Sequence, residues 1–151
     1  MDFSFKVEGL DKIAEAMAGV KQAVADELTK AVYAGAQKVV TEAKKSVLDG
    51  NKSGRVYKRR SVTHRTSAPG EAPASDTGRL VNSLHAEAGN PGEALAIAGG
   101  SSVKYATTLE FGTSKMAARP FMVPALEKSR PWISERLNEA VRKAAIDSVR
   151  K

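Results

Sequence analysis

Hydrophobic positions recur along the chain with changing period. Phe3, Phe5 and Val7 alternate with Ser4 and Lys6, the period-two pattern of a short half-buried strand that Gly9 ends. Over residues 11–48 the spacing becomes three or four. Ile13, Met17, Val20, Val24, Leu28, Val32, Val39, Ala43 and Val47 mark one face of an amphipathic helix, with a gap at Gly35-Ala36. Asp11 is the expected N-cap, and Asp49-Gly50-Asn51 closes the element with residues that tolerate left-handed geometry. Such a helix would be roughly 55 Å long at about 1.5 Å per residue. Gly19 or Gly35 is where it would kink or divide into two helices in line.

Residues 51–78 lose this periodicity. Lys52, Arg55, Lys58, Arg59, Arg60 and Arg65 follow one another with no acid between them, and Ser67-Ala68-Pro69-Gly70-Glu71-Ala72-Pro73-Ala74 is rich in turn formers. The expectation is a long, structureless basic arm that orders on contact. Beyond Gly78, Leu80, Val81 and Leu84 suit a helical turn leading into a strand. Asp76 or Thr77 is the expected cap of that turn. Asn90-Pro91-Gly92-Glu93 is a turn signal between residues 85–88 and 94–98, which predicts a β-hairpin. Residues 105–111 read as a helical turn stopped by Gly112. Residues 121–151 read as a helix with Trp132, Ile133, Leu137, Val141, Ala145 and Val149 as its buried stripe. Pro124 fits a first turn, whereas Pro131 would remove a hydrogen bond from an interior and predicts a restart there. The fold expected is one α+β domain over residues 1–151: long N-terminal helix, small antiparallel sheet including a β-hairpin, C-terminal helix, and a flexible basic arm at about 51–78.

Composition narrows the function classes. The 151 residues are 42% hydrophobic but only 5% aromatic, a thin core that neighbouring subunits readily supplement. Absence of cysteine removes disulfides, thiolate metal sites and thiol nucleophiles. No apolar run approaches the ~18 residues that span a bilayer. The N-terminus also lacks a signal-peptide layout, so a soluble protein made in the cytoplasm, without membrane contact, is expected. A net charge of +7 favours nucleic acid or acidic protein surfaces as partners.

Few residues point to chemistry. Asp76-Thr77-Gly78 has the letters of an aspartic-protease triplet, but that reaction needs two such carboxylates sharing a proton between rigid apolar strands, and a Pro-rich loop precedes this one. Gly99-Gly100-Ser101-Ser102 lacks the lysine and strand–loop–helix setting of a phosphate loop. His64 and His85 have no second ligand at metal spacing. No catalytic, cofactor or metal site is therefore expected, and no enzymatic activity. The basic run carries the functional weight, as a contact for DNA phosphates or for an acidic partner. If all six cations met phosphates, affinity would fall with a log–log salt slope of roughly −5. With Tyr57 the single aromatic among them, any such binding would be insensitive to base sequence.

Thr77-Gly78-Arg79-Leu80, Asn82-Ser83-Leu84, Tyr105-Ala106-Thr107-Thr108-Leu109-Glu110-Phe111-Gly112-Thr113 and Ala118-Arg119-Pro120-Phe121, in that order ahead of a C-terminal helix, resemble the phage "gene product ten"-like tail-component family. Val7-Glu8-Gly9-Leu10-Asp11 and the loop at 67–73 are similar too. The resemblance implies a virion protein of a tailed phage or prophage, a ring-forming neck or tail-completion subunit joining head to tail. Its implied partners are copies of itself, neck and tail-tube or tail-terminator proteins, and genomic DNA without sequence preference. Gly78, Tyr105, Glu110, Phe111, Gly112, Arg119, Pro120 and Phe121 then become candidates for subunit contact or for holding the fold. Glu110 is an expected partner of Arg119, whose guanidinium Pro120 would help to present. Expansion of the basic arm departs from the shorter members, so a sequence-independent nucleic-acid-binding protein using that arm is the alternative.

Overall fold

A computed structural model describes residues 10–99 and 103–149. The strand expected at residues 3–7 lies outside them, as do residues 100–102 of the glycine–serine turn. Helix α1, Leu10–Leu48, is a single element of 39 residues, about 58 Å long. Asp11 lies inside the helix instead of at its N-cap. Ala31, Ala36, Val39, Val40, Ala43 and Val47 are its buried hydrophobic positions among the described residues. Gly35 does not break the helix. A Cβ there would stand 3.3 Å from Ile133 Cγ1, so the missing side chain permits close approach to the C-terminal helix. The far end of α1 closes through side chains, with Gly50 outside the left-handed region. The Asp49 carboxylate accepts the Asn51 amide at 3.0 Å, and Lys52 Nζ donates to the Ser46 carbonyl at 2.8 Å, satisfying a terminal oxygen.

The segment expected to be structureless contains an antiparallel hairpin, β1 (Val56–Arg59) and β2 (Val62–Arg65). Arg60 occupies the first turn position at φ 57°, a left-handed conformation usually given to glycine. Val56, Tyr57, Val62 and Thr63 supply the β-branched and aromatic residues that favour strands. Tyr57 and His64 are directly opposite and stack with ring centroids 5.5 Å apart. Gly54 extends the pairing, donating to the Thr66 carbonyl at 3.0 Å where a Cβ would meet that oxygen at 2.5 Å.

Helix α2 (Arg79–Ser83) leads into β3 (His85–Ala88), which pairs antiparallel with β4 (Ala94–Ile97), as the turn signal predicts. The two hairpins form separate two-stranded sheets. β3 and β4 lie against α1, and the Gly92 amide donates to Thr29 Oγ1 at 3.0 Å. Helix α3 (Ala106–Phe111) stops at Gly112, as expected.

Helix α4, Met122–Val149, runs unbroken through Pro131 and packs along α1. Proline removes the bond to the Glu127 carbonyl, but both residues are exposed, so water satisfies that oxygen. Ser129, fully buried, donates to the Ala125 carbonyl at 2.7 Å beside the interruption. The stripe facing α1 is Ala125, Ser129, Ile133, Leu137, Ala140 and Ala144. Trp132, Val141 and Ala145, expected inside, are exposed; beside the last two the buried face passes through the preceding residues, Ala140 and Ala144.

The core joins Val39, Val40, Ala43 and Val47 to Leu80, Leu84, Val103, Ala106, Phe121 and Ala125. At its margin the buried Glu42 takes Lys128 at 2.7 Å from α4 and Lys38 and Lys45 at 3.1 and 3.3 Å from its own helix. Hydrogen bonds from these ammonium groups, Lys128 first, hold its carboxyl at about 2 despite burial.

Candidate interaction surfaces

The motif residues divide into those that build the fold and those left facing outward. Glu110 is buried at the junction of α3 and α4. Its Oε2 accepts the amides of Phe121 at 2.8 Å and Met122 at 3.0 Å, and its Oε1 accepts Val123 at 2.9 Å. It is the cap of α4, satisfying amides that a helix start leaves unpaired and placing negative charge at the positive end of the dipole. The expected pairing of Glu110 with Arg119 is therefore replaced. Arg119 instead donates through Nε to the Ser67 carbonyl at 3.3 Å and through Nη1 to the Ala117 carbonyl at 3.4 Å, turning inward. Its own amide bonds the Leu109 carbonyl at 2.7 Å, and the half-buried Pro120 follows. Phe121 is fully buried, as an inward anchor should be. Gly78 and Gly112 adopt left-handed φ values of 73° and 75° that side chains resist. Tyr105 and Phe111 remain outside, Phe111 being 74% exposed.

Asp76 does not cap α2, whose N-cap Gly78 makes no side-chain bond. Its carboxylate is ion-paired with Arg59 and lies 3.5 Å from His64 Nε2, tying the basic hairpin to the body of the domain. Glu71, which sequence reasoning passed over as part of a turn-rich loop, accepts the Ser53 hydroxyl, the Ala68 amide at 2.8 Å and the Ser53 amide at 3.1 Å. These bonds, the Ser53 hydroxyl foremost, keep its carboxyl at about 2. His85 bonds the Ser83 carbonyl and Glu87, each at 2.9 Å, and these contacts raise its pKa.

Between β1–β2, residues 66–79 and α3 lies an open cleft of about 340 Å³. Tyr57, Tyr105, Pro73 and Leu109 line it together with Arg65, Arg79, Arg119, His64 and Asp76. Half of the six candidate arm cations have internal duties: Lys52 on Ser46, Arg59 on Asp76, and Arg65 on the Lys52 carbonyl at 3.5 Å. Arg55, Lys58 and Arg60 remain exposed. Three cations correspond to a salt slope of about −2.7, so duplex DNA titrated against salt is expected to show a slope no steeper than about −3. A slope near −5 would mean that Lys52, Arg59 and Arg65 all leave their internal partners to join the contact.

A second concavity, about 510 Å³, is apolar. Val32, Ala36 and Val39 of α1, Ala94–Ala96 of β4 and Met122, Val123, Leu126, Ile133 and Leu137 of α4 line it. Leu95, Val123 and Leu126 are 56%, 51% and 41% exposed. The excess of apolar positions on α4 over those needed to face α1 is the sequence signal for it. Among the described residues, no group of three or more His, Asp or Glu is placed to hold a metal ion, and no helix is long and apolar enough to cross a membrane.

A family model described as "Bacteriophage HK97-gp10, putative tail-component" matches residues 11–112. The matched span includes the segments at 77–84 and 105–112 and ends before Arg119-Pro120-Phe121. No curated protein and no solved structure matches the chain.

Proposed function

Because the chain belongs to the HK97-gp10-like family of bacteriophage tail components, we propose that it is a non-catalytic structural subunit of the neck or tail-completion assembly, whose copies associate head-to-tail into a ring joining head and tail. The uncovered apolar groove carries this reading, since a domain of this size gains nothing alone from leaving such a surface wet. Ring closure needs two unlike patches that meet between neighbours. Phe111, the most exposed large apolar side chain described, supplies the second patch and seats in the next subunit's groove. Neck and tail-tube or tail-terminator proteins are the remaining partners, and genomic DNA passes through the lumen. A structural role accords with where three of the carboxylates go: Asp76 to Arg59, Glu110 to the α4 amides, Glu71 to Ser53 and Ala68.

Light scattering of the chain mixed with its neck and tail-tube neighbours is expected to show assembly that Phe111→Asp and Leu126→Asp each abolish. Both positions are exposed, so neither substitution should unfold the monomer. Failure of the unaltered mixture to assemble would overturn the ring, and assembly unaffected by both substitutions would overturn this pairing of patches. A monomeric, sequence-independent DNA-binding protein is the second reading, favoured by exposed Arg55, Lys58 and Arg60. Tight, salt-sensitive duplex binding by the lone chain would support it.

A further inference from the structure

We propose that the cleft beneath the β1–β2 hairpin is a receptor for a carboxylate-bearing peptide segment of a neighbouring protein, with Arg119 and Arg65 as its anchors. Among the described residues, Arg65, Arg79 and Arg119 border the cleft, joined by His64, against the single carboxylate of Asp76. That carboxylate already answers Arg59, which approaches it from the hairpin, and faces His64. With Arg79 set aside, Arg65 and Arg119 leave the described lining of the cleft with surplus positive charge at any pH where arginine is protonated.

Arg119 is also held in place. A guanidinium has five N–H donors. Arg119 spends Nε and Nη1 on two carbonyls at 3.3 and 3.4 Å, which fixes its plane while leaving donors on both terminal nitrogens. Arg65 makes one long bond, at 3.5 Å, to the Lys52 carbonyl. A planar fork positioned in this way matches the two oxygens of a carboxylate. The half-buried setting of Arg119 strengthens such a pair relative to one in open water.

The remaining lining selects peptide over nucleic acid. Pro73, Ala74, Leu80 and Leu109 give apolar floor beside the charges, and Tyr57 and Tyr105 flank it. A volume of about 340 Å³ admits a few side chains and is too confined for a DNA duplex. The cations free to meet an extended phosphate backbone, Arg55, Lys58 and Arg60, do not line the cleft. This site is separate from the apolar groove and does not depend on ring formation.

Fluorescence anisotropy of the full chain with a labelled Asp/Glu-rich decapeptide tests the assignment, with the same peptide in Asn/Gln form as reference. The acidic peptide is expected to bind, and the amide form to bind at least tenfold more weakly. Arg119→Gln and Arg65→Gln should each lower affinity about tenfold or more, the loss expected for a charge-assisted bidentate pair. Arg142→Gln, on exposed α4, removes the same net charge and should leave affinity within twofold. Circular dichroism checks that Arg119→Gln remains folded; if it does not, Arg65→Gln alone decides. No detectable binding, equal binding of the amide peptide, or an equal loss in Arg142→Gln would overturn the proposal. So would a single-stranded oligonucleotide that displaces the peptide and is itself more sensitive to Arg119→Gln. Peptide binding that survives Phe111→Asp would separate this result from any failure of the ring.

Discussion

Glu110→Ala is expected to lower the unfolding free energy by about 3 kcal/mol, a large share of the roughly 5–15 kcal/mol that holds a domain folded. One carboxylate accepts the amides of Phe121, Met122 and Val123. Removing an ordinary cap costs about 0.5–2 kcal/mol. Here the Phe121 residue is fully buried, so its amide would be stranded away from water, and an unsatisfied buried donor adds about 1–3 kcal/mol. Met122 and Val123 are less enclosed and recover part of their bonding from solvent. Glu110→Gln keeps one acceptor oxygen and loses the charge at the helix dipole, so about half the loss is expected. Urea denaturation followed by circular dichroism measures both. A loss below about 1 kcal/mol for the alanine variant would show that water replaces the carboxylate and that the cap is not what holds α4 to α3.

Gly112→Ala should cost a comparable ~3 kcal/mol for a different reason. At φ 75° and ψ −175° the residue sits where side chains are strained, and such strain is worth about 1–3 kcal/mol. The added Cβ would stand 2.8 Å from both the Ala118 amide nitrogen and the Met116 carbonyl oxygen. These are backbone atoms of the loop that returns to Arg119, whose amide bonds the Leu109 carbonyl at 2.7 Å. Displacing that loop moves α4's first turn away from Glu110. Combining Glu110→Ala with Gly112→Ala should therefore cost less than the two losses added together, because both disturb one junction. Strict additivity in denaturation, or a stable Gly112→Ala protein, would show that the loop yields without disturbing the cap.

Both residues lie in the segment whose resemblance to the tail-component family was legible from sequence, yet their duties were not. Glu110 looks like a partner for Arg119 because the two are near in sequence and opposite in charge. Proximity in sequence cannot say that the start of a helix, three orphaned amides with a dipole behind them, would be delivered to the same carboxylate. The hairpin within the basic arm is hidden from the sequence for a local reason. It turns at Arg60-Ser61 without the glycine or asparagine that normally marks such a turn. The β-branched residues Val56, Val62 and Thr63 were the available signal, outweighed by the charges around them. A count of charges likewise exceeds what the arm presents, since Asp76 and two backbone carbonyls engage three of its six cations.

What the sequence by itself determined is whatever depends on neighbours within a few residues. The long α1, the β3–β4 hairpin and the α3 turn stopped by Gly112 all follow from hydrophobic period and turn chemistry, which act locally. The continuity of α4 through Pro131, the side of that helix that is buried, the capture of Arg59 by Asp76, and the two concavities left uncovered were decided only by tertiary structure. Each depends on which surfaces meet across a distance in the chain: α1 buries the face beside Pro131 and leaves the freed Glu127 carbonyl to water. Helix propensity is worth a few kcal/mol at most at one residue, and a packed face extending over several turns outweighs it.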